Sequence, residues 1–316
     1  MTKRLFLFLW FIQCSAQAAD LPGIPAFIDE MVAKHQFKRE ELQQAFSLAE
    51  YRADVIESIS KPAILKPWVE YRPNFINPQR IEGGVQFWQK YSAALKRAEQ
   101  EYGVPQEIIL GVIGVETLYG RNAGRYRALD ALTTLAFDYP RRADFFRAEL
   151  AQYLLLAREQ EFDLLAIQGS YAGALGIPQF MPSSYRRYAV DFNRNGKIDL
   201  LREPEDAIGS VANYLKQYGW QNGEPVALLS KVEDEQRLGG AGDARPYLAW
   251  RVAGVAPLKM QEGELPPSWL LDFTVESGKE YWLVFNNFNV IMRYNNSNFY
   301  AMTVYQLGEA IRRARY

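Results

Sequence analysis

The stretch GVIGVETLYG, residues 111–120, is apolar until Glu116 and then reads as the end of a helix. Pro105 suits the first position of that helix because it has no N–H to leave unpaired, and Gly120 suits its stop. Ile109, Val112 and Ile113 precede Glu116 by seven, four and three residues, so all four share one helix face. A face this apolar is buried or lines a cleft. A carboxyl placed there loses water and stands at the negative end of the helix dipole. Both effects disfavour its charged form and raise its pKa toward neutrality, where a carboxylic acid can give a proton to a leaving oxygen. The same spacing suits a helix-end glutamate paired with Arg121 or Arg125, and spacing alone weighs the two readings equally.

Other chemistries have few residues to work with. The one histidine, His35, lies in the charged stretch AKHQFKREEL and reads as an exposed helical residue. A Ser-His-Asp triad or a His-ligated zinc site would have to depend on it. Carboxylates and tyrosines remain for proton transfer. Asp130, Asp138 and Asp144 follow Glu116 within thirty residues, which leaves a second carboxylate open.

Two loops add candidates. In GSYAGALGIPQFMPSSY, residues 169–185, glycines let a backbone approach a flat ligand, and Ser170 and Gln179 can hydrogen-bond sugar hydroxyl or acetamido groups. Tyr171, Phe180 and Met181 offer an apolar floor for pyranose rings. Taken alone, the stretch fits a buried glycine-rich turn better. DFNRNGKIDLLREPED opens like an EF-hand loop: Asp191, Asn193 and Asn195 at positions one, three and five, Gly196 at the sharp turn, and the Lys197 backbone at seven. The twelfth position is Arg202, so a closing acid must come from Glu203, Glu205 or Asp206. The rival is an Asn-Gly turn closed by hydrogen bonds.

The elements that would hold these residues are mostly helical. IPAFIDEMVAKH and REELQQAFSLAEY are apolar at three and four spacing, KPAILKPWVEYRPNFINP is broken by prolines into an irregular connector, and helices dominate from residue 83 to Trp220. EPVALLSKV, YLAWRVAGV, WLLDFTVES and KEYWLVFNNFNVIMRY then read as strands of a small antiparallel sheet, followed by an amphipathic C-terminal helix with arginines in its last turns. The class is α+β, predominantly helical, with a small antiparallel β insert. A net charge of −1 favours no nucleic acid partner. Lys3 and Arg4, the run LFLFLWFI and the small residues of CSAQAAD form a secretory leader, residues 1–18, cleaved after Ala18 or Ala19. Cys14, the only cysteine, lies within it. The bulky Gln13 in FIQC disfavours acylation there, so an exported chain without disulfides is expected.

Four blocks together resemble the lytic murein transglycosylase B family: GVIGVETLYGRNAGRYRALDALTTLAFDYPRRADFF, GSYAGALGIPQFMPSSYRRYAVDF, DAIGSVANYLKQYGW and NFNVIMRYNNSNFYAMTVYQLGEAI. The resemblance spans about residues 67–310. It implies a lysozyme-like core and non-hydrolytic cleavage of the MurNAc–GlcNAc β-1,4 bond of peptidoglycan, leaving 1,6-anhydro ends. Glu116 would be the single acid/base, with no second carboxylate needed and no cofactor required for catalysis. Ser170, Gln179, Tyr71, Tyr214, Tyr294, Asn295 and Tyr300 match residues of the family's saccharide cleft, while Phe145 stands where a tyrosine is expected. The resemblance also implies a structural calcium, with Asp206 as the closing acid of a loop one residue longer here, residues 191–206. The expected organisation is a helical region at 19–60, a catalytic core at 61–223, a β domain at 224–285, and a segment and helix at 286–316 returning to the core. A periplasmic, soluble monomer of a Gram-negative bacterium is expected, bound to peptidoglycan glycan strands, with other cell-wall enzymes as further candidate partners. A muramidase using water and a non-catalytic peptidoglycan-binding protein are the alternatives.

Overall fold

The structure, a computed structural model, describes residues 21–61, 66–239, 242–259 and 264–315. The expected leader and Cys14 lie outside the described residues. In chain order the helices α1 (Ile24–His35), α2 (Arg39–Ser47), α3 (Ala53–Ser60), α4 (Trp68–Tyr71), α5 (Pro78–Lys90), α6 (Ser92–Tyr102) and α7 (Gln106–Thr117) come first. Strand β1 (Tyr126–Arg127), α8 (Ala128–Asp138), α9 (Ala143–Glu159) and β2 (Gln168–Gly169) follow. Then come α10 (Pro182–Tyr188), α11 (Pro204–Gln217), β3 (Ala227–Val232), α12 (Tyr247–Val252) and β4 (Val255–Pro257). The chain ends with β5 (Trp269–Val275), β6 (Gly278–Val284), α13 (Asn286–Met292) and α14 (Asn298–Ala314). Helix predominates and the main sheet is small and antiparallel, as the α+β reading expected.

Contacts divide the chain into two units, neither of them continuous in sequence: residues 1–61 with 125–173, and residues 62–124 with 174–316. In the first, α8 packs on α9 and α3. Phe27 meets the rings of Phe46 and Phe137 edge-on, at 6.0 and 5.8 Å. Asp130 is fully buried but not free, since it accepts from the Glu50 N–H at 3.0 Å and the Arg127 guanidinium at 2.6 Å. Asp138 accepts from the Tyr51 hydroxyl and Asp144 pairs with Arg147. Each of the three carboxylates therefore has a structural partner.

The second unit is built around α7. Nearly every side chain from Ile108 to Val115 is buried, the pattern of a helix enclosed on all sides. Helices α14, α5, α6 and α11 enclose it. Two glycines set the closest approach. A Cβ on Gly111 would stand 2.3 Å from the Val304 carbonyl oxygen, and one on Gly308 would stand 2.4 Å from that of Glu107. The backbones of α7 and α14 therefore nearly touch, and α14 buries Tyr300, Val304, Leu307 and Ile311 toward this side. Each such aliphatic burial contributes about 1.5–3 kcal/mol.

The sheet has strand order β4-β3-β6-β5, antiparallel throughout, with Ala227 and Trp269 both in register with Val284. Its buried side carries Val255, Leu283 and Phe285 with Trp250. Three segments depart from the sequence reading. YLAWRVAGV gives a helix, α12, before the short strand β4: Pro246, with φ of −57°, leads into the turn and Gly254, with φ of 80°, ends it. Local caps outweigh the strand preference of Tyr, Trp and Val there. KEYWLVFNNFNVIMRY is a strand only to Val284 and continues as α13, where the buried Asn287 amide bonds the backbone of Gln221 and Glu224. Within the expected irregular connector, residues 68–71 close one helical turn as α4.

Candidate active site

Glu116 stands in the last turn of α7. The helix ends at Thr117, and Leu118 and Tyr119 both take positive φ, 51° and 61°. Two consecutive non-glycine residues in that region are strained, by roughly 1–3 kcal/mol each, and such strain clusters at functional sites. Here the turn is fixed by packing. The Tyr119 hydroxyl donates to the Arg80 carbonyl at 2.8 Å, and Thr117 accepts from the Gly120 N–H while donating to the Ile177 carbonyl at 2.7 Å.

By accessible area Glu116 is half-buried, yet protein atoms surround it so densely that loss of water raises its pKa to about 7. The Tyr300 hydroxyl donates to its Oε1 at 2.6 Å and pulls the other way. Among the described residues of its unit no ion pair holds it, and the Arg125 guanidinium lies over the Tyr126 ring. The Arg80 guanidinium donates to the Gly114 and Val115 carbonyls and so opposes the partial negative charge at this end of α7. Burial is the largest cause of the shift. Arg80 was missed in the sequence, where nothing in the spacing links it to a residue on another helix.

The other expected residues of this unit divide into those that face the carboxyl and those that support them. Tyr300 is 3% exposed and Tyr294 half-buried; their rings stack at 6.3 Å, and both hydroxyls are held far above the usual phenol range by burial and by the Glu116 charge. Tyr71 feels the same charge, so it too lies near Glu116. The Tyr294 hydroxyl donates to the Pro178 carbonyl at 2.5 Å, which ties the glycine-rich loop to this cluster. Gln179, at φ 52°, donates from its amide to the Ala123 and Gly176 carbonyls, and Asn295 is exposed beside Tyr294.

Phe180 and Tyr214 are corrected. Phe180 is 2% exposed and packs under Tyr214 and Tyr294, so it supports those rings and offers no face to a sugar. Tyr214 is likewise buried, with its hydroxyl bonded to the Arg293 carbonyl at 2.6 Å. Met181 is half-buried at the start of α10. A Cβ on Gly176 would meet the Leu200 carbonyl oxygen at 2.3 Å, so that glycine serves contact between backbones and not approach to a ligand. In the other unit, Ser170 accepts from the Ala172 N–H, Tyr171 is exposed, and Phe145, 38% exposed, lies under the Arg142 guanidinium at 4.2 Å.

The loop at 191–206 is folded as an Asx-rich turn. Asp191 accepts from the Asn195 and Gly196 N–H groups, Asn193 from that of Asn195, and Asn195 from that of Lys197. Asp206, the expected closing acid, turns to the backbone here. Fully buried, it spends both oxygens on the backbone N–H groups of Phe192, Asn193 and Asp199. The acid that converges on the loop is Glu203, which accepts from the amides of Asn193 and Asn195. Asp191, Asn193, Asn195 and Glu203 make an all-oxygen donor set of the kind calcium takes, once the two amides turn their oxygens inward. Among the described residues no cluster of three or more His, Cys, Asp or Glu side chains could hold a metal.

A carboxyl with pKa near neutrality, bonded to a phenol and lined by tyrosines, is fitted for acid–base catalysis. The comparisons carry this further. Residues 21–309 match the family model described as Transglycosylase SLT domain, and the chain belongs to that family. It is 44% identical over 314 residues to the membrane-bound lytic murein transglycosylase B of Escherichia coli (strain K12), covering 96% of this chain and 86% of that protein. It is similar in structure to the soluble lytic transglycosylase SltB1 of Pseudomonas aeruginosa, with TM-score 0.87, 48% identity and coverage of 93% of this chain and 99% of that one. It is also similar to the Escherichia coli lytic transglycosylase Slt35 in complex with calcium, with TM-score 0.88, 44% identity and coverage of 95% and 96%.

Proposed function

We propose that the chain cleaves the MurNAc–GlcNAc β-1,4 bond of peptidoglycan with Glu116 as sole acid and base. The observation that carries the reading is the Glu116 carboxyl, raised to about 7 by burial and held by Tyr300, in a chain of the transglycosylase family. In the first half-reaction Glu116 gives its proton to the glycosidic oxygen as that bond to C1 breaks. The carboxylate then takes the proton of the C6 hydroxyl of the same muramic acid while O6 bonds to C1. Glu116 ends protonated, no water is consumed, and the product carries a 1,6-anhydro ring. Tyr300 stabilises the carboxylate between the two halves. The half-buried rings of Tyr71 and Tyr294 and the exposed Asn295 contact the sugars, with Gln179 shaping the loop.

Calcium held by Asp191, Asn193, Asn195 and Glu203 would have a structural role in this reading; the Escherichia coli relative has been solved in complex with calcium. We place the enzyme outside the cytoplasm on the strength of its leader; no described helix is long and apolar enough to cross a membrane. The test is Glu116→Gln on purified sacculi with mass spectrometry of the products. Wild type should release anhydro-muropeptides and the variant none. Products heavier by one water would make the enzyme a muramidase instead.

A further inference from the structure

A cavity of 500 Å³ lies in the second unit between strands β3 and β6 and the outer face of α14. It is not the Glu116 site. Tyr300, which touches Glu116, stands near the start of α14, whereas Tyr305 and Arg313 line the cavity from its later turns, up to ~20 Å further along the helix axis.

Its chemistry is uneven in a useful way. Four cations line it, Arg72, Lys259, Arg312 and Arg313, against two carboxylates, Glu280 and Glu309. Both carboxylates are already occupied. Glu280 faces Arg72 at 3.9 Å and accepts from the Trp282 indole, and Glu309 holds Arg312 at 2.8 Å with Arg313 at 3.8 Å. Lys259 is exposed with no ion pair among the described residues, and the Arg313 side chain is 76% exposed. The wall beneath is apolar, formed by Leu228, Leu258 and the edge-on rings of Trp282 and Tyr305 at 6.2 Å.

An occupant that satisfies both features carries carboxylates for the surplus cations and aliphatic carbon for the wall. A neutral glycan lacks the first. We propose that this groove is a second substrate site, taking the carboxylate-bearing stem peptide of peptidoglycan while the glycan occupies the Glu116 cleft. The proposal rests on the peptidoglycan reading above.

The experiment is calorimetric titration of the full chain with the free stem tetrapeptide, at low and high salt. Saturable binding is expected, weakened about tenfold or more in Lys259→Glu/Arg313→Glu and by high salt. Trp282→Phe, a gentler change, should weaken it a fewfold. Absence of saturable binding, or an affinity indifferent to the charge reversals, overturns the proposal, as does chitotetraose binding that disappears in the same variants. Murein cleavage surviving Glu116→Gln would instead sink the catalytic reading and leave this titration legible.

Discussion

Glu116 and Asp206 are two carboxyls that the fold takes largely out of water, and it treats them in opposite ways. Asp206 is 0% exposed but accepts three backbone N–H groups, at 2.8, 3.2 and 2.9 Å. Glu116 keeps some access to solvent but receives one phenol hydroxyl. Burial pushes both pKa values up; at Asp206 three donors oppose it, and at Glu116 only one does, so Glu116 alone is carried to about 7. Burial removes water, and the number of donors decides whether the group becomes an acid or an anchor.

The contrast is broken most severely at Glu116. Glu116→Gln keeps the shape and can accept from Tyr300, but cannot cycle a proton. Release of muropeptides should fall by about 10³-fold or more, measured by chromatography of digested sacculi. Next is Asp206→Ala. It strands three backbone donors, so the chain should lose about 3–5 kcal/mol of stability in urea unfolding. A loss below ~1 kcal/mol would show that Asp206 is no anchor.

How far the two sites were legible follows from how local their causes are. Glu116 was readable because Ile109, Val112 and Ile113 precede it on its own helix. Tyr300, 184 residues away, came only through family resemblance, and Arg80, 34 residues from Gly114, carried no signal at all. The exchange of Asp206 for Glu203 could not be read either. Spacing offered both acids, and only the packed loop shows which one its backbone N–H groups had consumed. The helices followed their caps. The misread strand at α12 went the same way, since Pro246 and Gly254 were visible but given less weight than composition.

A subtler consequence concerns pH. The folded pKa of Glu116, about 7, exceeds its ordinary 4.5, so between these values the folded chain holds the extra proton. Stability from this group is therefore lost as pH rises through that window, by ~3 kcal/mol in full. Glu116→Gln abolishes the loss, so the variant should gain over wild type in urea midpoint at pH 8 relative to pH 4. Equal differences at the two pH values would mean that the carboxyl is not shifted. Tyr300→Phe acts on the same proton with smaller effect. Without the phenol the carboxylate loses its one donor, its pKa rises further, and the alkaline limb of kcat/KM moves up while the rate drops about tenfold.

The smallest effect separates the two acids of the loop. With Glu203 converging on Asn193 and Asn195, and Asp206 held by backbone N–H groups, the charge available to a cation comes from Asp191 and Glu203. Calcium at about ten times its Kd should stabilise the wild-type chain by ~1.4 kcal/mol, a shift of a few degrees in Tm. Glu203→Gln keeps an oxygen there but removes half of the charge, so the calcium-dependent shift should largely vanish while Tm without calcium stays within about a degree. If the full shift persists in that variant, Asp206 must leave its three N–H partners to reach the ion, and the division between acid and anchor would hold only for the ion-free loop.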